Sequence, residues 1–343
     1  MSIRSEEYWN KRSEAVLSAE LKKAEDIVDE LYLAYNQALE EIEKDIARWY
    51  ARYATEDGIT LQEAKKILAA RELNELKLTV EKYIKYGRDN EISEALVKQL
   101  ERASVRAHIS RLEAIQLQII HEMNKLSYMT ENKLTDVIED VYKGSYYNTG
   151  YEIAIGTGIG VSFSKINTKQ LETIMKTPWA VDGKTFSQRI WGNNDKVIEE
   201  LKQGLTRSII QGTSPSKTIQ SIQKIFKTSQ SNAERLVMTE SSFFASKAIH
   251  DSYKSTGVER YQILATLDHR TSEICRDMDG KVFRMSDYEP GVSAPPFHAR
   301  CRTTTIPYFD DNYGKRIAKD NNGKTIYVDS KMTYRDWEKK FVK

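Results

Sequence analysis

The sequence predicts an α+β protein that is mainly α. A long helical N-terminal half is followed by a further helical segment and a small C-terminal mixed α/β module with few antiparallel strands. Three observations carry this. Charged residues make up 30% of the 343, against 16 Gly and 6 Pro, a composition that favours long solvated helices. Apolar residues in the first half recur at alternating spacings of three and four. After Gly257, β-branched and aromatic residues gather in short runs between turn signals.

Ile27, Leu31, Tyr35, Ala38, Ile42, Ile46 and Trp49 share one face of the first predicted helix, with most of the Glu40–Asp45 charges facing away. Glu56-Asp57-Gly58 is a turn signal. A second helix is predicted from Thr60, which forms a capping box with Glu63, to Tyr86, stopping at Gly87. A third is predicted over about Glu91 to Leu126, with Val105, Ile109, Leu112, Gln116 and Ile119 in rhythm. Such stripes want partner helices, within the chain or on another protein.

The composition changes near Tyr146. Gly156-Thr157-Gly158-Ile159-Gly160 lacks the spacing and the Lys-Ser/Thr of a phosphate loop, so it predicts a flexible connection or close backbone packing. Helix resumes from Asp195 to Ser255, with a break at Gly212-Thr213-Ser214-Pro215, where Ser214 suits an N-cap and Pro215 a first helical turn. Ser231-Asn232-Ala233-Glu234 reads as a further capping box opening its own helix, which turns Leu236, Phe243 and Phe244 inward and ends at Ser255-Thr256-Gly257. Strands are predicted within Val258–Leu267, at Lys281-Val282-Phe283 and at Thr303–Ile306, and a small hairpin around Asn321-Asn322-Gly323 and Ile326-Tyr327-Val328. The resulting division is 1–150 helical and partner-binding, 151–195 a glycine-containing, Trp-rich connector, 196–310 the mixed module, and 311–343 a peripheral tail.

Lys+Arg number 52 and Asp+Glu 50, a net charge of +2, which excludes a uniformly basic nucleic-acid binder. The charge is uneven: residues 1–150 hold 22 basic against 28 acidic side chains, and residues 151–343 hold 30 against 22. Within 201–250, where the count is 7 against 2, Lys202, Arg207, Lys217, Lys224, Lys227 and Arg235 are candidate phosphate contacts; the competing reading is a solvated helical face. Two cysteines exclude a disulfide scaffold. No apolar run approaches the roughly 18 residues of a membrane span. The first residues lack an apolar core of the signal-peptide kind, which predicts a product kept in a reducing cytoplasm until a particle or lysis carries it out.

The densest chemistry lies between Asp268 and Arg302. Cys275, His298 and Cys301 are three candidate zinc ligands, with His269 or Asp268 as a fourth. Two other readings stay open: a Cys275–Cys301 disulfide formed after release from the cell, and a pair of buried thiols beside a hydrogen-bonded His298. Catalytic use of Asp268 with His298 as acid and base would require that they meet. Structural roles account for the rest. Asp268 can accept backbone N–H bonds at a strand end, Arg270 can pair with a carboxylate, Thr271-Ser272 lies in the turn, and Asp279-Gly280 is a turn. Ala294-Pro295-Pro296 is a stiff stretch presenting His298. The five tryptophans are core or interface anchors.

The series Ala265-Thr266-Leu267-Asp268-His269-Arg270-Thr271-Ser272-x-x-Cys275, then Asp279-Gly280-Lys281-Val282-Phe283, then Ala294-Pro295-Pro296-x-His298-x-x-Cys301-Arg302 resembles the Mu-F-like phage minor head, or head-morphogenesis, proteins, especially those of phages and prophages of Gram-positive bacteria. Supporting segments are Pro178–Lys184, Phe186–Trp191, Ala233–Glu240, Glu7-Tyr8-Trp9 and Ala107–Glu113. Many members read Cys-Arg-Cys where this chain has Cys301-Arg302-Thr303, so a zinc site using that additional cysteine would lack a ligand here.

The resemblance implies a minor structural component of a phage head, made in the host cytoplasm and carried in the virion. Its expected partners are the portal protein and the major capsid or scaffold protein, with double-stranded DNA a further candidate and no membrane. It implies no catalytic residues and no cofactor beyond a candidate structural zinc. The alternative is a metal-assisted hydrolase or group transferase centred on Asp268, Arg270, His298 and Cys301. Mu-F-like modules can also precede toxin domains, but roughly 40 residues after Arg302 are too few for a domain of typical size.

Overall fold

A computed structural model describes residues 4–54, 59–90, 94–157, 165–309, 315–319, 325–329 and 332–341. The chain forms two compact units from interleaved stretches. One unit comprises Met1–Asp29, Lys133–Phe186 and Glu234–Lys343, and the other Glu30–Asn132 and Ser187–Ala233. Three long helices, α1 (Glu6–Tyr53), α5 (Arg111–Thr157) and α8 (Pro215–Ser255), supply residues to both.

In the second of these units, the later part of α1 is joined by α2 (Leu61–Ala64), α3 (Ala70–Asp89), α4 (Glu94–Ser104), the first part of α5, α7 (Phe186–Ile210) and the start of α8. α1 contains no Gly or Pro, and pairs such as Lys44–Glu40 at 2.8 Å support its solvent face. The predicted stripe from Leu31 to Trp49 is buried, and from Tyr35 onward it packs with Ile115, Ile119, Leu201, Leu205 and Phe226. Ile27 is only half-buried and Val28 takes the inward position, because a face of period 3.6 drifts off a strict 4/4/3 count. A satellite core joins Leu76, Val80, Ile84, Leu100 and Ile109.

Two predicted helices are broken. The helix expected from Thr60 stops at Ala64, and the chain then lies beside residues 109–111: Leu68 N donates to Ile109 O at 2.9 Å and Arg111 N to Lys66 O at 3.0 Å. The helix expected from Glu91 to Leu126 is interrupted at the same place, leaving Val105 79% exposed while Ile109 is buried. Each open segment satisfies backbone groups of the other, which offsets the lost helical bonds. Helix α3 also runs past Gly87 to Asp89. The turn read at Glu56-Asp57-Gly58 lies outside the described residues.

In the first unit, α5 continues without a break through Tyr146 to Thr157, where a connector was expected. Gly156 is helical and lies against the buried Trp9 indole, whose ring would be 2.2 Å from a β-carbon there. Gly158 and Gly160 lie outside the described residues. α6 (Thr168–Lys176) follows, capped by the Asn167 side chain. α8 begins at Pro215 as expected but runs through Ser231 without a new start. Ala233 and Val237 are buried on that stretch, and their packing outweighs the capping tendency of Ser231. The helix ends at Ser255, and Gly257, with a φ of 77°, closes the turn that follows.

A three-stranded antiparallel sheet of order β2-β1-β3 follows, built from β1 (Arg260–Leu264), β2 (Val282–Arg284) and β3 (Thr304–Pro307). Tyr261 pairs with Phe283, and Ile263 with Thr305. α9 (Glu273–Met278) sits between β1 and β2 in the chain. Trp9, Ile249, Tyr253, Tyr261, Ile263, Phe297 and Ile306 share this core with both cysteines. β4 (Lys315–Lys319) and β5 (Thr325–Asp329) form the expected hairpin, whose turn lies outside the described residues. The tail is less peripheral than expected. In α10 (Tyr334–Phe341), Tyr334 and Trp337 are buried with Leu267 and Val328, and Arg335 reaches Asp277 at 3.1 Å.

Candidate functional site

The candidate site lies where the loop after β1, helix α9 and the turn before β3 converge. Ser272 caps α9 by accepting from Cys275 N, which fixes the helix start and turns Cys275 into the core, 1% exposed. On the other side Ala294-Pro295-Pro296, with a cis peptide between the prolines, leads to His298.

The turn from His298 to Cys301 is anchored on α8. Arg300 adopts a φ of 58°, uncommon for a residue with a β-carbon. Its N–H donates to Thr239 Oγ1 at 3.1 Å and its guanidinium pairs with Glu234 at 3.1 Å. Ser242 donates to Cys301 O at 2.7 Å. Glu234, Thr239 and Ser242 were not among the predicted site residues. Glu234 and Thr239 lay in the Ala233–Glu240 segment, which carried the resemblance without a role for each side chain, and Ser242 follows two residues beyond it.

This brings Cys275, His298 and Cys301 together. His298 Nε2 lies 3.2 Å from Cys275 Sγ, and the two sulfurs are 3.7 Å apart. One ligand atom from each of the three lies within 4.8 Å of the others. The thiols are free and buried, and His298 is half-buried. His298 Nδ1 is 2.8 Å from Ala299 O, so that nitrogen donates to the carbonyl and Nε2 faces the thiols. Hydrogen bonding from Cys275 pushes the Cys301 thiol pKa down, helped by His298 and by backbone N–H groups of Phe297 and Thr303. The same contact, with burial, pushes Cys275 up. The bond to Cys301 raises His298 above its ordinary value against the opposing effect of burial.

Asp268 is committed elsewhere. Arg302 grips it with two hydrogen bonds of 2.9 Å, and Arg270 N donates to it at 2.9 Å. Burial works against the carboxylate, but the Arg302 hydrogen bonds and charge outweigh it and hold the Asp268 pKa below the ordinary range. The Arg270 side chain is exposed and reaches Asp268 only at 3.8 Å. Thr271 donates to Thr266 O. Gly280, at φ 79°, turns the chain into β2, and its N–H donates to Ile263 O at 2.9 Å. The cluster whose ligand atoms could share a metal contains neither Asp268 nor His269. Neither expected fourth ligand therefore joins the three.

The basic candidates sit on two helices. Lys202 and Arg207 are on α7, and Lys217, Lys224, Lys227 and Arg235 on α8. Lys217, Lys224 and Lys227 are exposed, and spacings of seven and three place them along one stripe. No acidic residue occurs between Ile210 and Ala233.

Residues 199–306 match the family described as Phage Mu protein F like protein. The chain is 22% identical over 257 residues to an NAD(+)–arginine ADP-ribosyltransferase of Enterococcus faecalis, covering 69% of this chain and 52% of that protein. It is 21% identical over 134 residues to an uncharacterized protein of Haemophilus influenzae, covering 39% of this chain and 30% of that one. The chain thus spans about half or less of these relatives. No solved structure gives a significant match. No helix among the described residues is long and apolar enough to cross a membrane. The stretch from within α7 into β3 is therefore similar to the Mu-F-like phage proteins.

Proposed function

We propose that the chain is a minor structural component of the phage head that acts during procapsid assembly, through contacts with the portal protein or with the major capsid or scaffold protein. It is made in the host cytoplasm and retained in the virion, where it assists DNA packaging or ejection. The observation that carries this reading is the family match over 199–306. The way the module uses its polar groups supports it. Asp268 and Arg302 tie two loops together, Ser272 caps a helix, and Glu234, Thr239 and Ser242 hold a turn. Each of these groups serves the fold, and none needs a substrate.

The test is composition of the particle. The chain is expected in purified heads and in complex with a portal oligomer. A chain that stays free in lysates, absent from both procapsids and finished heads, would overturn the proposal. The second reading, an enzyme acting in group transfer or hydrolysis, draws support from the name of the enterococcal relative. Its check is direct: incubation of the purified chain with labelled NAD(+) and arginine-containing proteins. Transfer of label that depends on His298 or Cys301 would replace the structural role with a catalytic one.

A further inference from the structure

We propose that Cys275, His298 and Cys301 bind one zinc ion, which pins helix α9 to the turn before β3. The argument rests on geometry. Zinc–sulfur bonds of about 2.3 Å at the tetrahedral angle place two thiolates roughly 3.8 Å apart. Cys275 and Cys301 are already 3.7 Å apart, so the ion fits without moving the backbone. His298 supplies the nitrogen from the side. Its Nδ1–H is held by Ala299 O at 2.8 Å, the outer hydrogen bond that orients a ligating imidazole and leaves Nε2 for the metal. Backbone N–H groups of Phe297 and Thr303 point at Cys301 sulfur, an arrangement that suits a thiolate ligand.

Three protein ligands leave the fourth position of the tetrahedron to water. The anchoring of the turn has a purpose on this reading. Arg300 at φ 58° and the Thr239 and Ser242 contacts hold His298 and Cys301 facing the same point, as ligands three residues apart must. Zinc is favoured over harder cations because two of the three donors are sulfur. A disulfide would instead need the sulfurs to close to about 2.05 Å, and it would remove the thiol that His298 Nε2 now contacts. The proposal is independent of head assembly: zinc in a chain that never enters particles would leave it standing, and particles built from a metal-free chain would leave the assembly reading standing.

The experiment uses the full chain, expressed with added zinc, purified with a phosphine reductant and dialysed against metal-free buffer. Elemental analysis is expected to give on the order of one zinc per chain. Replacement by cobalt should produce thiolate-to-cobalt charge-transfer absorption in the near ultraviolet. His298→Ala removes a half-exposed side chain and keeps the helical circular dichroism. It is expected to weaken zinc binding by more than about tenfold, while Cys275→Ser and Cys301→Ser reduce the charge-transfer band. The proposal is overturned if folded wild-type protein takes up no zinc, or if stoichiometry and affinity are unchanged in His298→Ala and Cys301→Ser.

Discussion

Asp268 and Arg302 meet in a parallel fork, Oδ2 to Nη1 and Oδ1 to Nη2 both at 2.9 Å, across 34 residues of chain. The pair ties the loop leaving β1 to the residue that leads into β3. A guanidinium fits this geometry and an ammonium does not. Arg302→Lys is therefore expected to destabilise the fold by about 1–2 kcal/mol, the pair being partly solvated, as measured by urea denaturation. Because the Asp268 pKa is lowered in the folded state, its contribution is present above the unfolded carboxylate value and is lost as pH falls through the folded one. Arg302→Lys should flatten that acid limb. An unchanged acid limb would contradict the assignment.

His121 supplies a second titration. It is buried, stacked on Tyr83 at 3.6 Å between centroids and edge-on to Tyr86. Burial, aided by Lys125, pushes its pKa down to about 4; Glu122 lies 4.0 Å away. A folded value below the unfolded one of about 6.5 means that the unfolded chain takes up the proton first. Stability is then complete above about pH 6.5 and falls with acidification toward about 4, by roughly 2 kcal/mol at about pH 5. His121→Phe should remove this slope, read as the urea midpoint against pH; a slope that persists would assign it to other groups.

Gly156→Ala gives a test of sign. In an exposed helix the change would stabilise by up to about 1 kcal/mol. Here the added carbon meets the Trp9 ring at 2.2 Å, and the indole is 1% exposed with little room to retreat. A loss of about 1–3 kcal/mol is expected from overpacking, visible as a lower melting temperature. A stabilised variant would show that the indole is not held there.

Lys217, Lys224 and Lys227 bear on nucleic acid. If the stripe contacts phosphate, binding to double-stranded DNA weakens steeply with salt. Replacing all three with Gln should then lower the slope of log K against log salt by about 3. Filter binding or anisotropy across a salt series reads this. A flat salt response, or a triple variant with the parental slope, assigns the lysines to a solvated face.

The sequence carried the strands, the break at Pro215 and the turn at Gly257, because these depend on local chemistry: β-branched runs, a fixed φ, a left-handed residue. It did not carry the open segments around Ile67 and Val105. Those form because residues 66–68 and 109–111 satisfy each other's backbone, a pairing between positions more than forty apart. The capping box at Ser231 misled for a related reason, since burial of Ala233 and Val237 keeps α8 helical there. At the site, composition singled out both cysteines and His298. The choice of partners was not legible. Asp268 was weighed as a fourth ligand and as a base for His298, and only the folded loops reveal that Arg302 takes it.

The contact between Glu6 and Gln262, 3.0 Å apart across 256 positions, has a consequence for biogenesis. The N-terminal segment emerges from the ribosome long before its companions exist. At typical elongation speeds, Trp9 waits on the order of tens of seconds for Tyr253 and Tyr261 to appear. During that interval the nascent apolar face of α1 is uncovered, so holdase chaperones should engage this polypeptide early and let go once β1 has been translated.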